Sequence, residues 1–363
     1  MEIMVTMKDF YRNKRVLITG HTGFKGSWLC EVLLHLGANV GGYALSPSGE
    51  VSLFNILNLS ERISINRIGD IRDIEFLKSA VKDFMPDIII HMAAQPLVLE
   101  SYARPAYTYD TNIMGTVNIL EAVRECPSVK SFLNVTTDKV YLNREWVYGY
   151  RENETLCGRD PYSNSKSCSE LVTYSYRNSF FESDDSCAVS TARSGNVIGG
   201  GDFAENRIIP DCMRSVLRGE DIILRNPESV RPYQHVLECL SGYLLLAMKQ
   251  YEDKRAYEGS YNFGPDESSC ITTYELTEIF SRKYESISGQ KLKIDVHVNA
   301  DRKLHEANLL KLDCSKAKSI LGWGPEWDIE QAVEEVTGWL KVYASKGDIR
   351  SYMDEKISGR HWQ

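Results

Sequence analysis

Short apolar runs alternate with amphipathic stretches through the first half of the chain. The apolar runs are "RVLITG", "NVGGYAL", "PDIIIHMAA" and "SFLNVTT", and "SWLCEVLLHLG" between the first two has the apolar spacing of a helix. Short buried strands separated by helices are typical of a parallel sheet covered on both faces. The pattern predicts an α/β fold with a Rossmann-type doubly wound parallel sheet.

The alternation stops after about residue 195. Glycine and proline cluster in "GNVIGGGDFAEN" and "RNPESVRPYQHV", and helical stretches dominate the C-terminal third. Such clusters mark loops and breaks between elements. We therefore expect an NAD-binding Rossmann domain at 1–194 plus about 235–262, and a smaller, mainly C-terminal substrate-binding lobe at about 195–234 plus 263–363.

Composition narrows the class of protein. With 43% hydrophobic and 25% charged residues the chain is globular, and its net charge of -8 disfavours non-specific binding to nucleic acid or an anionic membrane. The nine cysteines form no CxxC pair, and the seven histidines are scattered, so we expect reduced thiols and no metal site. The sequence has no signal-like N-terminus and no apolar run of about 18 residues, which predicts a cytoplasmic protein.

Three glycines in "VLITGHTGFKGSWL" lie between the first predicted strand and the first predicted helix. Glycines there let the backbone turn tightly and approach a pyrophosphate at the positive end of the helix. A plain tight turn is the alternative interpretation, but the position at the start of the alternating half favours a dinucleotide site. The expected cofactor contacts here are Gly20, Thr22, Gly23, Phe24, Lys25 and Gly26.

Further cofactor contacts are predicted from the later strand ends. The second strand ends in "GYALSPS" without an acid for the adenosine ribose, which leaves the choice between NAD and NADP less secure. Asp70 can accept from an adenine amino group, or it can be a helix N-cap. The small residues of "HMAAQP" allow close packing on a cofactor. The residues assigned to this part of the site are Asp70, Ile71, Ala93, Ala94, Gln95 and Asn112.

The segment "DPYSNSKSCSE" supplies a candidate catalytic pair. Tyr162 and Lys166 are four residues apart at the start of a predicted helix and so share one face. A lysine near a tyrosine and a bound nicotinamide lowers the phenol pKa, which makes the tyrosine a base for a sugar hydroxyl. Thr137 ends the preceding strand and can donate to the same substrate oxygen.

This combination is the pattern of the short-chain dehydrogenase/reductase superfamily. Longer segments resemble the CDP-D-glucose 4,6-dehydratases, an extended branch that acts on nucleotide sugars. The resemblance runs from about Arg15 to Trp339 and is carried by "TGHTGFKGSWL", "HMAAQPLV", "NREWVYGYRENE", "DPYSNSKSCSELV", "RNSFF", "GNVIGGGD", "RNPESVRPYQHVLE" and "HEANLLKLDCSKA".

The resemblance implies a reaction. Bound NAD oxidises carbon 4 of the glucose ring, water is eliminated across carbons 5 and 6, and the hydride returns to carbon 6. The product is a 4-keto-6-deoxy sugar nucleotide, which the family supplies to the synthesis of dideoxyhexoses for bacterial surface polysaccharides.

The elimination step needs an acid and a base, and the resemblance assigns them to Asp138 and Lys139. Related dehydratases carry Asp then Glu after the threonine, whereas the CDP-glucose type carries Asp then Lys, as here. By analogy Asp138 is a protonated acid and Lys139 the base. Adjacent Asp and Lys ordinarily favour their charged forms, and a surface salt pair is the alternative interpretation. The segment "TTDKVYLN" also departs in places from the family's usual Ser, Cys and Asp, which puts the fit of the substrate in question.

Substrate-binding residues are implied in the same way. Arg231 in "SVRPYQHV" is the expected pyrophosphate ligand, with Asn196 and Arg207 as neighbours. His305 and Glu306 in "HEA" are candidates for the same cleft, with a packing role as the alternative.

The resemblance also implies partners. We expect a CDP-sugar substrate, no nucleic acid or membrane partner, and a homodimer or homotetramer formed through the helices that follow Tyr107 and Tyr162. Two other functions share these motifs. An epimerase, or a dehydratase for another CDP or heptose nucleotide, has the same oxidation step. A non-catalytic NAD-binding sensor has the same fold but no need of Tyr162 and Lys166.

Overall fold

A computed structural model describes residues 6–49, 51–297, 309–360 and 362. Its strands, in chain order, are β1 (Arg15–Thr19), β2 (Asn39–Ala44), β3 (Ile65–Ile68), β4 (Ile88–His91), β5 (Ser131–Val135), β6 (Ala188–Ser194), β7 (Val197–Ile198), β8 (Ile222–Leu224), β9 (Val230–Pro232), β10 (Gln234–His235), β11 (Ser260–Phe263), β12 (Cys270–Thr272) and β13 (Ile294–Val296).

The helices connect and cover these strands. They are α1 (Met7–Tyr11), α2 (Phe24–His35), α3 (Leu53–Ile56), α4 (Ile74–Phe84), α5 (Val98–Ala103), α6 (Pro105–Tyr109), α7 (Gly115–Arg124), α8 (Pro161–Phe180), α9 (Ile208–Arg218), α10 (Val236–Glu252), α11 (Lys254–Tyr257), α12 (Thr273–Ser288), α13 (Ile329–Ala344) and α14 (Ile349–Ser358). A π-helical turn, Asp110–Met114, joins α6 to α7, and a 3-10 turn, Asp138–Val140, follows β5.

Within the described residues, seven parallel strands form the main sheet in the order β11-β6-β5-β4-β1-β2-β3. This is the doubly wound order, in which the chain starts in the middle and moves outward in both directions. The predicted α/β fold class is therefore confirmed. The strands β1, β4 and β5 are almost entirely buried because helices cover both faces.

Each face of the sheet has its own apolar core. One contains Trp28 of α2 and Leu240 of α10, and Met353 of α14 packs into it as well. The other is formed with α4, α7 and β5 and includes Leu120 and Phe132. The sheet is thus held rigidly from both sides, which fixes the positions of its strand ends.

A third core lies beyond the carboxyl ends of the strands. It is built from α9, α12 and α13 through residues such as Ile209, Leu276 and Val336. Short strand pairs join the segments around it: β10 with β7, β12 with β9 and β13 with β8. In the part of the chain that is described, no helix is long and apolar enough to cross a membrane.

Candidate active site

A cleft of about 2000 Å³ opens at the carboxyl ends of the sheet strands, between the sheet and the third core. Its wall includes residues that directly follow β1 to β6, where open α/β sheets bind ligands. The predicted site residues that line it are Gly20, Thr22, Gly23, Phe24, Lys25, Gly26, Asp70, Ile71, Ala93, Ala94, Gln95, Thr137, Lys139, Tyr162, Lys166, Asn196, Arg207 and Arg231.

The glycine loop has no room for side chains. Gly20 has φ +80°, and a Cβ there would lie 2.8 Å from the backbone nitrogen of Ala93. A Cβ on Gly26 would lie 2.2 Å from the carbonyl oxygen of Gly20. Gly23 begins α2 without a side-chain cap, so the first N–H groups of the helix are left for a ligand. This arrangement is a cradle for a pyrophosphate.

Two side chains of the loop hydrogen-bond within the protein. The Thr22 hydroxyl donates to the Leu45 carbonyl at 2.8 Å and ties the loop to the end of β2. His21 is buried with its Nε2 atom 2.8 Å from Asn66 Oδ1, and burial lowers its pKa. His21 is thus a buried structural residue of the loop.

Asp70 lies at the rim of the cleft and is not a helix cap. Asp73 caps α4 instead, accepting from the backbone N–H of Phe76. The carboxylate of Asp70 accepts from the guanidinium of Arg72, with an Nη2–Oδ2 distance of 2.7 Å, and this hydrogen bonding lowers its pKa. Asp70 is therefore ionised, and it remains partly exposed to a ligand.

The structure does not bring Asn112 to the cleft wall. It lies in the π-helical turn, 1% exposed, where it accepts from the Gln95 N–H at 2.8 Å and donates to Ser165 Oγ at 2.8 Å. Its side chain positions the Gln95 backbone, which does line the cleft, and links it to α8. Its contribution to a cofactor site is therefore indirect.

Tyr162 and Lys166 face the cleft from the first turns of α8, as the four-residue spacing predicts. Lys166 Nζ donates to the Val135 carbonyl at 3.2 Å, and burial together with the nearby Lys25 ammonium lowers its pKa to about 8. Burial raises the pKa of Tyr162 to about 12, against a hydrogen bond with Thr137 that lowers it. This is the pKa in the protein alone, whereas the lowering expected from the sequence requires a bound nicotinamide as well as Lys166.

Asp138 and Lys139 form an ion pair of unequal exposure. Lys139 Nζ lies 3.0 Å from Asp138 Oδ1 and 3.3 Å from Asn196 Oδ1. The lysine side chain is 30% exposed, while the aspartate side chain is fully buried and lies behind the cleft wall. Thr137 Oγ1 donates to the same Oδ1 atom at 2.9 Å. The alternative of a solvated surface pair does not fit a carboxylate without exposed surface.

The predicted phosphate ligands also line the cleft. Arg231 is 5% exposed and donates to the Val230 carbonyl at 2.9 Å. Arg207 pairs with the buried Asp202 at 2.9 Å. Both guanidinium groups are held by the protein at the cleft, as bidentate anion binding requires. The predicted contact His305 lies outside the described residues, as does Glu306.

A short segment, 309–313, connects the strand that contains Arg231 with the loop that contains Tyr150. The carbonyl of Lys311 accepts from the Tyr150 N–H at 3.0 Å, and the Asp313 N–H donates back to the Tyr150 carbonyl at 3.0 Å. At its other end, Leu309 forms a bridge with Val230, next to Arg231. The segment 309–313 thus pairs with both the strand and the loop.

The sequence analysis predicted Lys25 but missed its polar partners Ser194 and Tyr243. Lys25 donates to Ser194 Oγ at 3.1 Å, and Ser194 Oγ lies 2.6 Å from the Tyr243 hydroxyl. A buried pair, Glu170 and Arg193, lies behind the wall. Glu170 was detectable, because an acid four residues after Lys166 lies on the same helix face. Among the described residues, no group of three or more His, Cys, Asp or Glu side chains is arranged to hold a metal ion.

Known proteins resemble the chain over nearly its whole length. A family model described as GDP-mannose 4,6 dehydratase matches residues 17–336. The chain is 45% identical over 358 residues to a CDP-glucose 4,6-dehydratase of Salmonella typhimurium, covering 95% of this chain and 98% of that protein.

Solved structures share the fold. A dTDP-glucose 4,6-dehydratase of Bacillus anthracis in complex with NAD superposes with a TM-score of 0.73 at 24% identity, covering 90% of this chain and 96% of that one. A UDP-glucose 4-epimerase of Thermus thermophilus in complex with NAD gives a TM-score of 0.75 at 23% identity, covering 90% of this chain and 99% of that one.

Proposed function

The chain belongs to the GDP-mannose 4,6 dehydratase family, and we propose that it converts CDP-D-glucose to CDP-4-keto-6-deoxy-D-glucose with NAD as its cofactor. The observation that carries the choice of substrate is the 45% identity to a CDP-glucose 4,6-dehydratase across 95% of the chain. The chemistry is supported by the cleft, where groups suited to oxidation and to elimination lie around one space.

The cleft fits NAD. Gly20 and Gly26 let the backbone approach a pyrophosphate, and the open N-terminus of α2 offers N–H donors to it. Asp70 would hold the adenine, and Ala93 and Ala94 would admit the cofactor against the sheet. When bound, NAD takes a hydride from carbon 4 and returns it to carbon 6.

In the oxidation step, the protein removes the proton of the carbon 4 hydroxyl. Tyr162 is the base, and Thr137 orients the same substrate oxygen. Since burial raises the Tyr162 pKa in the protein alone, phenolate formation depends on positive charge close by. We propose that the Lys166 ammonium and the cofactor supply it together.

In the elimination step, Lys139 is the base at carbon 5. Asp138 is the source of the proton for the leaving hydroxyl. Both tasks require the neutral forms. Because Lys139 Nζ and Asp138 Oδ1 are joined by a 3.0 Å hydrogen bond, one proton movement converts the charged pair into the neutral pair. We propose that exclusion of water by bound substrate favours the neutral form.

Thr137 connects Tyr162, the base of the oxidation step, with Asp138, the acid of the elimination step. Its hydroxyl donates to Asp138 Oδ1 and hydrogen-bonds with Tyr162. Since Asp138 lies behind the wall, its proton reaches the leaving hydroxyl through Thr137, which both donates and accepts. Over the reaction Tyr162 gains one proton and Asp138 loses one, while Lys139 takes the carbon 5 proton and must return it to carbon 5 when the hydride reaches carbon 6. With that return, passage of a proton from Tyr162 to Asp138 through Thr137 restores the starting state.

The substrate binds to the lobe around the third core. We propose Arg231 and Arg207 as pyrophosphate ligands, Asn196 as a partner of Lys139 near the sugar, and His305 as a further contact. We also propose the division into 1–194 plus about 235–262 for NAD, and about 195–234 plus 263–363 for the nucleotide sugar.

A homodimer or homotetramer is proposed on the exposed apolar surface of the helices after Tyr107 and Tyr162. Met114 is 46% exposed, and Leu171 and Tyr174 in α8 are 52% and 60% exposed. Two copies packed through these helices would cover the side chains. Light scattering after size exclusion measures the mass directly, and a monomer would contradict this part of the proposal.

The reaction is tested with purified protein, NAD and one nucleotide sugar at a time. CDP-D-glucose, UDP-glucose, dTDP-glucose and GDP-mannose are compared by the absorbance of the alkali-treated 4-keto product. We expect rapid signal with the CDP sugar alone. Signal with another nucleotide sugar, or a 4-epimer as the product, would refute the proposal. So would retained NAD binding without any turnover, which would favour a sensor.

A further inference from the structure

A buried ion pair lies directly behind the catalytic part of the cleft. Glu170 and Arg193 are each 2% exposed, and Arg193 Nη2 lies 2.8 Å from Glu170 Oε2. A buried pair contributes little net stability, because the desolvation of two charges offsets their attraction. Stability alone therefore does not explain its presence.

The Glu170 carboxylate accepts hydrogen bonds from two neighbouring strands. Oε1 accepts from the Thr136 hydroxyl, just after β5, and from Arg193 Nε at 2.9 Å. Oε2 accepts from the Thr191 hydroxyl of β6 at 2.7 Å and from Arg193 Nη2. Four donors require an ionised carboxylate. Burial raises its pKa, but Arg193 and the hydroxyls together bring it below the usual value.

Arg193 extends the network in the other direction. Its Nη1 atom donates to the Tyr141 hydroxyl at 2.8 Å and to the Glu152 carbonyl at 3.0 Å. The Tyr141 hydroxyl in turn donates to Asn262 Oδ1 at 2.7 Å. Tyr141 directly follows the 3-10 turn Asp138–Val140. The guanidinium therefore anchors the chain where it leaves that turn.

The two anchors, Thr136 and Tyr141, flank the segment that carries the elimination groups. Glu170 accepts directly from Thr136 and is linked to Tyr141 through Arg193. It is one helical turn after Lys166 in α8. We propose that the Glu170–Arg193 pair is a positioning pair, which fixes the spacing between the oxidation groups on α8 and the elimination groups after β5.

The spacing matters because both sets act on a single sugar ring. Tyr162 serves carbon 4, while Lys139 and Asp138 serve carbons 5 and 6, so one binding pose must satisfy both. A displacement of about 1 Å can lower the rate of a step by about 100-fold. Loss of the anchor should lower kcat rather than raise KM, because Thr136 and Tyr141 anchor the elimination groups, whereas the proposed pyrophosphate ligands belong to other segments, β9 and the start of α9. This inference rests on the proposed function.

Two isosteric variants test it. Thr136→Val detaches the end of β5 from the carboxylate, whereas Thr191→Val removes an equivalent bond inside β6 and leaves the catalytic segment anchored. We expect Thr136→Val to lower kcat by about 10-fold or more with KM unchanged, and Thr191→Val to keep kcat within about twofold. In a single turnover, Thr136→Val should also accumulate reduced cofactor, because elimination is slowed relative to oxidation.

A double variant separates positioning from stability. Glu170→Leu with Arg193→Met leaves no uncompensated charge, so the fold should persist with a similar unfolding midpoint, while kcat stays low. Wild-type kcat in this variant, or equal effects of the two threonine variants, would overturn the inference. If the double variant does not fold, the threonine pair decides. Absence of product with the wild-type protein would instead refute the proposed function.

Discussion

Lys139 Nζ donates to Asp138 Oδ1 at 3.0 Å, while Oδ2 of the same carboxylate is buried with no hydrogen-bond partner among the described residues. The lysine is the member of the pair that reaches the cleft. A substrate in the cleft therefore meets the lysine first, and the aspartate is shielded from water. The proposed base and the proposed acid thus differ in exposure although the two residues are adjacent in sequence.

Lys139→Ala is expected to block elimination and to spare NAD binding. Without the amine no group of the pair can take the carbon 5 proton, so dehydration should fall by about 100-fold or more. The alkali-treated 4-keto product measures the first property and an NAD titration the second. Lys291→Ala, at an exposed lysine, is the matched control. An unimpaired rate in Lys139→Ala would exclude the lysine as the base.

Tyr162→Phe is expected to stop the oxidation step. The ring is kept, so substrate and cofactor should still bind, but the proton acceptor is lost and kcat should fall by about 100-fold or more. Reduced cofactor should not form in a single turnover. Tyr274→Phe, at an exposed tyrosine of α12, should behave as the wild type. Normal formation of reduced cofactor in Tyr162→Phe would assign the base elsewhere.

Gly26→Ala is expected to damage the cofactor cradle. The added Cβ would lie 2.2 Å from the Gly20 carbonyl and 2.6 Å from the His21 Cα atom, so the loop must shift at a cost of about 1–3 kcal/mol in the free energy of unfolding. Urea denaturation and NAD titration should both show the loss. Gly324→Ala, where a Cβ meets no atom within 4 Å, is the control. Equal stability of the two variants would contradict this packing.

His91 is expected to make the protein sensitive to acid. Thr19 Oγ1 accepts from the backbone N–H groups of Met92 and Ala93, so its own proton goes to His91 Nδ1 at 2.7 Å. The ring must then be neutral, and burial together with the nearby Lys166 ammonium lowers its pKa to about 3.

The pH dependence follows from this shift. The unfolded imidazole has a pKa of about 6.5, so between about pH 6.5 and 3 the unfolded chain holds a proton that the folded protein lacks. The free energy of unfolding should therefore decrease as pH falls, by up to about 1.4 kcal/mol per pH unit for this residue. Urea denaturation of His91→Gln should show a shallower dependence than the wild type, and His35→Gln an unchanged one. Identical slopes for His91→Gln and the wild type would contradict the neutral ring.

The predictable part of the fold consists of the strands with continuous apolar runs. The strands β1, β2, β4 and β5 were predicted because their sequences are almost wholly apolar and the helices between them have clear spacing. The strand β6, with the sequence "AVSTARS", was not identified. Its serine, threonine and arginine side chains are buried. Burial of Arg193 depends on Glu170, a partner 23 positions earlier, and a local pattern does not reveal such a pairing.

The part of the site that could be predicted is the part in which motif spacing determines the direction of a side chain. Tyr162 and Lys166 face the cleft because helical geometry requires it. Asn112 was assigned to the cofactor site without such a spacing argument, and it lies in the π-helical turn behind the cleft wall. The position of Asp138 behind the wall depends on the 3-10 turn after β5, which no periodic pattern indicates.

The segment 309–313 forms backbone contacts with two parts of the cleft. It is bonded to Tyr150 and bridged to Val230, beside Arg231. Because Val230 precedes Arg231, the backbone of the proposed pyrophosphate ligand and the loop that contains Tyr150 are joined by this one stretch of five residues.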